Sequence, residues 1–317
     1  MMVMCLCHSL RTLQIDGSSV VFTCTTLWTF LPYCGESASA SASTTRTAPL
    51  QRLVHLQLIN VNAHLGSCGP LVQLPQLRSF TISQDEGRDF SFTQHDAKFT
   101  STLTTLSARG VRPRYGGDVR QVLSSFPFLE SLTVEGNCWD DDLPSDFFRG
   151  IGDALGEIAT RSLTDLHLKI CGADHTVVPK IGSLAALTGL ERLSIPMAFF
   201  LGREAGAEGA VQATERLFED RLVDILPPGL KELRIVDTEY HLLIALDARI
   251  LELLADERFE NLCTMRMARL AAFEHDLSSV GWYMTERRLV HHIEGYARKD
   301  GVLSQGIDVF QVVLRST

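Results

Sequence analysis

The sequence predicts an α/β solenoid built from repeated strand and helix units, and three observations lead to that prediction. An apolar pattern at the first, fourth and sixth positions recurs in nine copies along the chain. Two copies add a polar or Cys residue at the ninth position, as Leu129-Leu132-Val134-Asn137 and Leu163-Leu166-Leu168-Cys171. Between copies, apolar residues recur at helical spacing. Strand followed by helix is the unit expected when each module buries its apolar side against the next.

The other seven copies keep the apolar spacing alone. They are Leu10-Leu13-Ile15, Leu53-Leu56-Leu58, Leu77-Phe80-Ile82, Leu103-Leu106-Ala108, Leu190-Leu193-Ile195, Leu230-Leu233-Ile235 and Leu262-Met265-Met267. Successive copies begin 43, 24, 26, 26, 34, 27, 40 and 32 residues apart, so the period is irregular. One such triplet is expected by chance in a Leu-rich chain, but a long series is not. The shorter intervals lie inside the range of leucine-rich repeats.

The repeat therefore predicts a leucine-rich-repeat solenoid. The first, fourth and sixth positions point inward because a short strand alternates its faces. Stacked units place their strands in one curved parallel sheet on the concave side, with helices and loops on the convex side. Asn137 and Cys171 are predicted to be structural residues at the corner where the chain leaves the strand.

Connecting segments with a helical apolar face support this architecture. They are Val119-Val122-Leu123-Phe126 ending at Pro127, Phe147-Ile151-Leu155-Ile158 after Ser145, Phe218-Leu222-Ile225 before Pro227-Pro228, and Leu242-Leu246-Ile250-Leu253. The predicted organisation is a degraded repeat over 1–35, a low-complexity loop over 36–49, the repeat array over 50–270 and a capping region over 271–317. In that last region we expect a helix over 285–298 and a final strand through Phe310, Val312 and Leu314.

Composition excludes several classes of protein. With 45% hydrophobic and 21% charged residues, the chain is expected to fold rather than remain disordered. A net charge of −9 disfavours nucleic acid as a partner. The apolar stretch Val20 to Tyr33 is too short to span a bilayer, so no membrane contact is predicted. Scattered cysteines without a CxxC pair predict no zinc site and favour an intracellular location, cytoplasmic or nuclear.

Signatures of catalysis are missing from the sequence. It contains no P-loop, no GxGxxG, no GxSxG and no HExxH, so we expect a non-catalytic protein without cofactor or metal. An enzyme without a short motif remains the alternative. The run Asp140-Asp141-Asp142 lacks EF-hand spacing and is interpreted as a solvated loop, with a bound cation as the alternative. His291-His292 is interpreted as a polar helix face.

The position between the fourth and sixth residues of each repeat is predicted to face the open concave surface. In order it reads Gln57, Thr81, Ser107, Thr133, His167, Ser194, Arg234 and Arg266. It changes from small polar to basic residues, and Lys169 and Arg192 lie nearby. We therefore predict a protein partner, and specifically an acidic peptide, bound by His167, Lys169, Arg192, Arg234 and Arg266. Because Glu135, Asp165 and Glu232 interrupt the trend, a solvated face of mixed polarity is the alternative.

The amino-acid sequence of three repeats resembles that of the irregular leucine-rich-repeat proteins of filamentous fungi, many of which carry an N-terminal F-box. The segments are Leu226-Pro-Pro-Gly-Leu-Lys-Glu-Leu-Arg-Ile235, Phe126-Pro-Phe-Leu-Glu-Ser-Leu-Thr-Val134 and Leu187-Thr-Gly-Leu-Glu-Arg-Leu-Ser-Ile195. The resemblance covers roughly residues 50–270. It implies that the repeats recruit substrate while an F-box docks onto the adaptor of a cullin-based ubiquitin ligase.

This chain departs from that pattern at its start. It opens on Leu10-Leu13-Ile15, which already reads as a repeat, and no F-box is recognisable before it. We expect a fragment or a shortened chain, with the ligase adaptor as a partner only if an F-box lies upstream. The alternative is a stand-alone repeat protein without a ligase role.

Overall fold

A computed structural model describes residues 9–17, 50–61, 63–64, 68–84, 90–91, 101–111, 123–137, 155, 162–171, 181–201, 221–238, 249–250, 252–270, 289–294 and 307–314. The chain divides into two compact units. Unit 1 comprises residues 1–163 and 170–176, and unit 2 comprises residues 164–169 and 177–317.

Unit 1 carries a parallel sheet. Its strands are β1 (Thr12–Asp16), β2 (His55–Ile59), β4 (Ser79–Ser83), β6 (Thr105–Val111) and β7 (Ser131–Asn137), and they are hydrogen-bonded in that order. Two-residue strands β3 (Ala63–His64) and β5 (Phe90–Ser91) form a separate parallel pair. The short helix α1 (Gly69–Val72) has Pro70 as its second residue, and the missing N–H of Pro70 is tolerated in the first helical turn.

Unit 2 carries a mostly parallel sheet. Strands β8 (Asp165–Cys171, to Lys169 in this unit), β9 (Arg192–Pro196), β10 (Glu232–Thr238) and β11 (Thr264–Leu270) are parallel neighbours in that order. Beyond β11, the strands β13 (Ile307–Leu314) and β12 (Leu289–Glu294) are added antiparallel. Helices α2 (Ala198–Leu201) and α3 (Leu222–Ile225) and a 3₁₀ turn (Glu257–Phe259) lie between strands.

Every copy of the apolar pattern coincides with a described parallel strand of the two units, and only the two-residue strands β3 and β5 among these carry no copy. The fourth and sixth positions are buried from Leu56-Leu58 in β2 to Leu233-Ile235 in β10, as alternation in a strand requires. In β1 the corresponding Leu13 and Ile15 keep partial exposure. The core of each unit therefore lies against the leucine face of its strands, as the spacing predicts.

The same turn precedes most of these strands. The backbone N–H of the first-position residue bonds the carbonyl three residues earlier, in the pairs Leu53–Leu50, Leu77–Leu74, Leu129–Phe126, Leu190–Leu187, Leu230–Pro227 and Leu262–Phe259. The acceptor residue is apolar and buried in each case. This turn brings the chain back into register before the next strand starts.

The predicted connecting helices are seen in part. Helix α3 ends ahead of Pro227 as expected, and it buries Leu222 and Ile225. Residues 123–124, Leu155, 249–250 and 252–255 are helical, and Ile250 and Leu253 are buried. The remaining parts of the predicted helices lie outside the described residues, as does the loop over 36–49.

The helix predicted over 285–298 is wrong where the chain is described, because residues 289–294 form strand β12. β12 pairs with β13 along its whole length, from Leu289–Leu314 to Glu294–Val309. These backbone pairs outweigh a helical apolar spacing that rests on only a few residues. The final strand through Phe310, Val312 and Leu314 is confirmed as β13.

Candidate functional site

Strand pairing in unit 2 brings three of the five predicted partner-binding residues into one lateral row, together with Ser194. His167 of β8 lies opposite Ser194 of β9, Ser194 opposite Arg234 of β10, and Arg234 opposite Arg266 of β11. We call these four positions the outward row, because in β8, β9 and β10 they alternate with buried apolar residues. Neighbouring strands are about 4.8 Å apart, so adjacent positions are close enough to share one ligand.

The antiparallel strands extend the outward row at the backbone level. Arg266 lies opposite Gln311 of β13, and Gln311 lies opposite His292 of β12. The interpretation of His291-His292 as a helix face is therefore wrong, since these residues lie in a strand, where consecutive residues face opposite sides. The sequence missed His292 because its segment was predicted to be helical, and it missed Gln311 because the predicted final strand was given no pairing partner.

Arg192 lies on β9 two residues before Ser194, so it is outside the outward row, and it already forms an ion pair. It is in register with Asp165 and with Glu232 on the two flanking strands. Arg192 Nε donates to Asp165 Oδ2 at 2.8 Å, and this hydrogen bond and the charge of Asp165 raise the pKa of Arg192. Its charge is thus largely offset within the sheet, whereas Arg234 Nε has no hydrogen-bond partner among the described residues.

A second ion pair lies at the same end of the strands. Lys231 Nζ donates to Glu191 Oε1 at 2.6 Å, and that bond lowers the pKa of Glu191. The described carboxylates on this side of the sheet, including Glu232, all lie at or before the third repeat position. Among the side chains that the structure describes, the outward row and the neighbouring Lys169 contain no carboxylate. The carboxylates and the two bases paired with them are therefore separated along the strands from the basic residues of the outward row and Lys169.

Two polar atoms of the outward row are buried without a hydrogen-bond partner in the described part of the chain: Ser194 Oγ and Arg234 Nε. Both residues keep partial exposure as a whole. Leaving a buried donor without an acceptor costs about 1–3 kcal/mol, and more when the group is charged. The pair thus stands out from Arg192, whose Nε has an acceptor.

The corresponding row in unit 1 is polar but uncharged. Gln57, Thr81, Ser107 and Thr133 are aligned on β2, β4, β6 and β7, as the spacing predicts. Two positions further along the strands, the Arg109 guanidinium approaches the Glu135 carboxylate at 3.6 Å. The predicted change from small polar residues to basic residues is therefore present when the aligned rows of the two units are compared.

Other predicted residues are described only in part. Asn137 and Cys171 are the last residues of β7 and β8, as expected for the end of the strand, but their side chains lie outside the described set. The same holds for the side chain of Arg266 and for the whole run Asp140-Asp141-Asp142. Within the described ranges, no cluster of three His, Cys, Asp or Glu side chains could hold a metal ion. No helix in those ranges is long and apolar enough to cross a membrane.

Fold and site together define an α/β protein in which leucine-spaced strands follow one another in parallel, solenoid-like order, with a row bearing basic residues on unit 2. Comparison of the chain with protein-family models, with curated proteins and with solved structures gives no match.

Proposed function

We propose that this chain is a non-catalytic protein-interaction scaffold of the leucine-rich-repeat type, which binds an acidic segment of a partner protein on the outward row of unit 2. The observation that supports it best is the separation of charge on that sheet face. Acids and their paired bases lie at the start of the strands, while His167, Lys169, Arg234 and Arg266 lie beyond them.

The leucine-rich-repeat assignment is supported by the regular placement of the repeats. Each copy coincides with a parallel strand, and most copies are preceded by the same hydrogen-bonded turn. Repeat proteins of this kind present an extended sheet face to their ligands. A binding role follows more naturally from such a surface than catalysis does, because active sites are usually concave pockets with convergent polar groups.

An acidic partner is compatible with a chain whose net charge is −9. Charges on exposed groups are screened beyond about 8 Å at physiological ionic strength, so the overall charge acts weakly at contact distance. The local charge of the outward row decides the short-range interaction. Arginine guanidinium groups pair with carboxylates through two parallel hydrogen bonds, which makes acidic side chains a suitable ligand.

A titration with matched double variants tests this proposal. The probe is a fluorescein-labelled peptide of eight glutamates, followed by fluorescence anisotropy on the full chain. Arg234→Gln with Arg266→Gln should weaken binding by about tenfold or more, because each charge-assisted hydrogen bond contributes about 1.5–3 kcal/mol. The control, Thr81→Glu with Thr133→Glu, changes the net charge equally but on the sheet of unit 1, and should retain binding.

Equal losses in the two double variants would show that only the net charge matters, and would contradict a site on unit 2. Absence of binding by the unmodified chain at low ionic strength would contradict the acidic-partner proposal itself. Raising the salt concentration should weaken binding of the unmodified chain, since the contacts are largely ionic.

The resemblance to fungal repeat proteins extends the proposal to recruitment of substrates for a cullin-based ubiquitin ligase. The test is affinity capture with the full product of the gene in its own cells. Recovery of a cullin adaptor would support the ligase role. Capture of partner protein without the adaptor would favour the stand-alone repeat protein.

A further inference from the structure

We propose that Arg234 and Ser194 form the carboxylate-binding subsite of the outward row, and that its occupant is an Asp or Glu side chain of the partner's acidic segment. This inference rests on the proposed function and deepens it. It selects one pair from the basic surface as the point of specific recognition.

The geometry of the pair is the first argument. Arg234 and Ser194 lie directly opposite each other on the parallel strands β10 and β9. Their side chains emerge on the same face, between the buried pairs Leu193–Leu233 and Ile195–Ile235. A guanidinium and a hydroxyl are thereby presented side by side from two rigid strands, which is a favourable basis for a precise polar contact.

Unused hydrogen-bonding capacity is the second argument. Arg234 Nε and Ser194 Oγ are buried and have no hydrogen-bond partner among the described residues. Arg192 occupies a similar outward position on β9, yet its Nε is bonded to Asp165. Among the described residues, the fold thus provides a carboxylate for Arg192 and none for Arg234 Nε, so Arg234 is the one of these two arginines that can accept an external carboxylate.

The chemistry of the donors selects a carboxylate. Arg234 supplies a planar set of N–H donors that matches the two oxygens of a carboxylate, and Ser194 Oγ–H can donate a further bond. The guanidinium of Arg234 gives the pair a single positive charge, which balances the single negative charge of one carboxylate. Phosphate groups are typically bound by clusters of arginines.

Binding at this pair requires a small local movement. Nε and Oγ are both covered, while the residues that bear them stay partly exposed. The atoms that cover Nε and Oγ must therefore move aside when the carboxylate arrives. We expect the gain in hydrogen bonds to offset that movement, because both donors lack acceptors beforehand.

Conservative variants test the subsite, with the eight-glutamate peptide as the probe. Arg234→Lys keeps the charge but removes the planar donor set, and should weaken binding by about tenfold. Ser194→Ala should weaken it by about threefold or more. Arg109→Lys is the matched control: Arg109 also faces outward from a parallel strand but is paired with Glu135, and this variant should bind within about twofold of the unmodified chain.

Several outcomes would overturn the subsite while leaving the proposed function intact. One is that Arg234→Gln with Arg266→Gln weakens binding but Arg234→Lys and Ser194→Ala do not. Another is that the two conservative variants shift the midpoint of thermal unfolding without changing the dissociation constant, which would mean that the pair serves the fold alone. A third is that they impair binding of a phosphoserine peptide of equal length and not of the glutamate peptide.

Discussion

Single residues decide which charges of the sheet are available to a ligand. Counting along the repeat places Asp165 and Arg192 at the same position of consecutive copies, so their proximity follows from the sequence. The direct hydrogen bond between them does not, because it depends on side-chain rotamers that spacing does not specify. For the same reason, the sequence grouped Arg192 with Arg234, although one is paired and the other has an unpartnered Nε.

Asp256 provides a prediction at this scale. Its carboxylate accepts a hydrogen bond from the backbone N–H of Arg258 and pairs with the Arg258 guanidinium, and these contacts lower the pKa of Asp256 from 3.8 to about 2. Because the pKa is lower in the folded state, the stabilisation is present above pH 3.8 and disappears as the pH falls toward about 2.

Asp256→Asn keeps a capping oxygen but removes this charge. The urea midpoint of the variant should lie below that of the unmodified chain near neutral pH. The gap should close as the pH is lowered from about 4 to about 2, following the two pKa values. A gap that is independent of pH would contradict the role of the ionised carboxylate.

Secondary-structure elements were predictable where one period dominates. The leucine spacing predicts the nine described strands that follow one another in parallel order from β1 to β11, leaving out the separate pair β3 and β5, because burial of the fourth and sixth positions requires an extended segment. It missed the repeated turn, although its signal was present as an apolar residue three places before the first position in the six copies where the turn is described. β12 was mistaken for a helix because short apolar runs fit both periods, and long-range pairing with β13 decides between them.

Two glycines with positive φ, one near the end of β6 and one in the connection before β9, give a matched pair of predictions. Gly110 has φ +69, and a Cβ there would overlap the Gln84 carbonyl oxygen. Gly182 has φ +83, but a Cβ there would contact nothing within 4 Å. Gly182→Ala should therefore lower the free energy of unfolding by only about 1–2 kcal/mol, which is the cost of placing alanine in a left-handed conformation. Gly110→Ala should lower it further, because the Cβ would also overlap a neighbouring atom. Urea unfolding measures both, and equal costs would contradict the close approach at Gly110.

The alternation within β7 gives a further test. Leu132 is fully buried, while its neighbour Thr133 lies on the outward face. Leu132→Ala should lower the free energy of unfolding by about 2–5 kcal/mol through lost burial and a cavity. Thr133→Ala should change it by only about 0.5 kcal/mol. Similar effects from the two variants would mean that the strand faces are assigned wrongly.

At the scale of the whole molecule, the two units share one construction and differ in surface chemistry. The aligned row of unit 1 presents Gln, Ser and Thr, whereas that of unit 2 presents His, Ser and Arg. This difference could be predicted from the repeat positions alone. The identity of a partner could not, because a repeat fold supports many ligands and recognition depends on particular side chains.

The central claim is that an acidic segment binds on the outward row of unit 2. The most direct test is photo-crosslinking of the full chain with an eight-glutamate peptide that carries a central benzophenone, followed by mass spectrometry of the crosslinked fragments. We predict crosslinks within β9, β10 and β11, and their loss when Arg234 and Arg266 are replaced by Gln. Crosslinks concentrated in the strands of unit 1, or in the helical segment that includes α3, would contradict the claim.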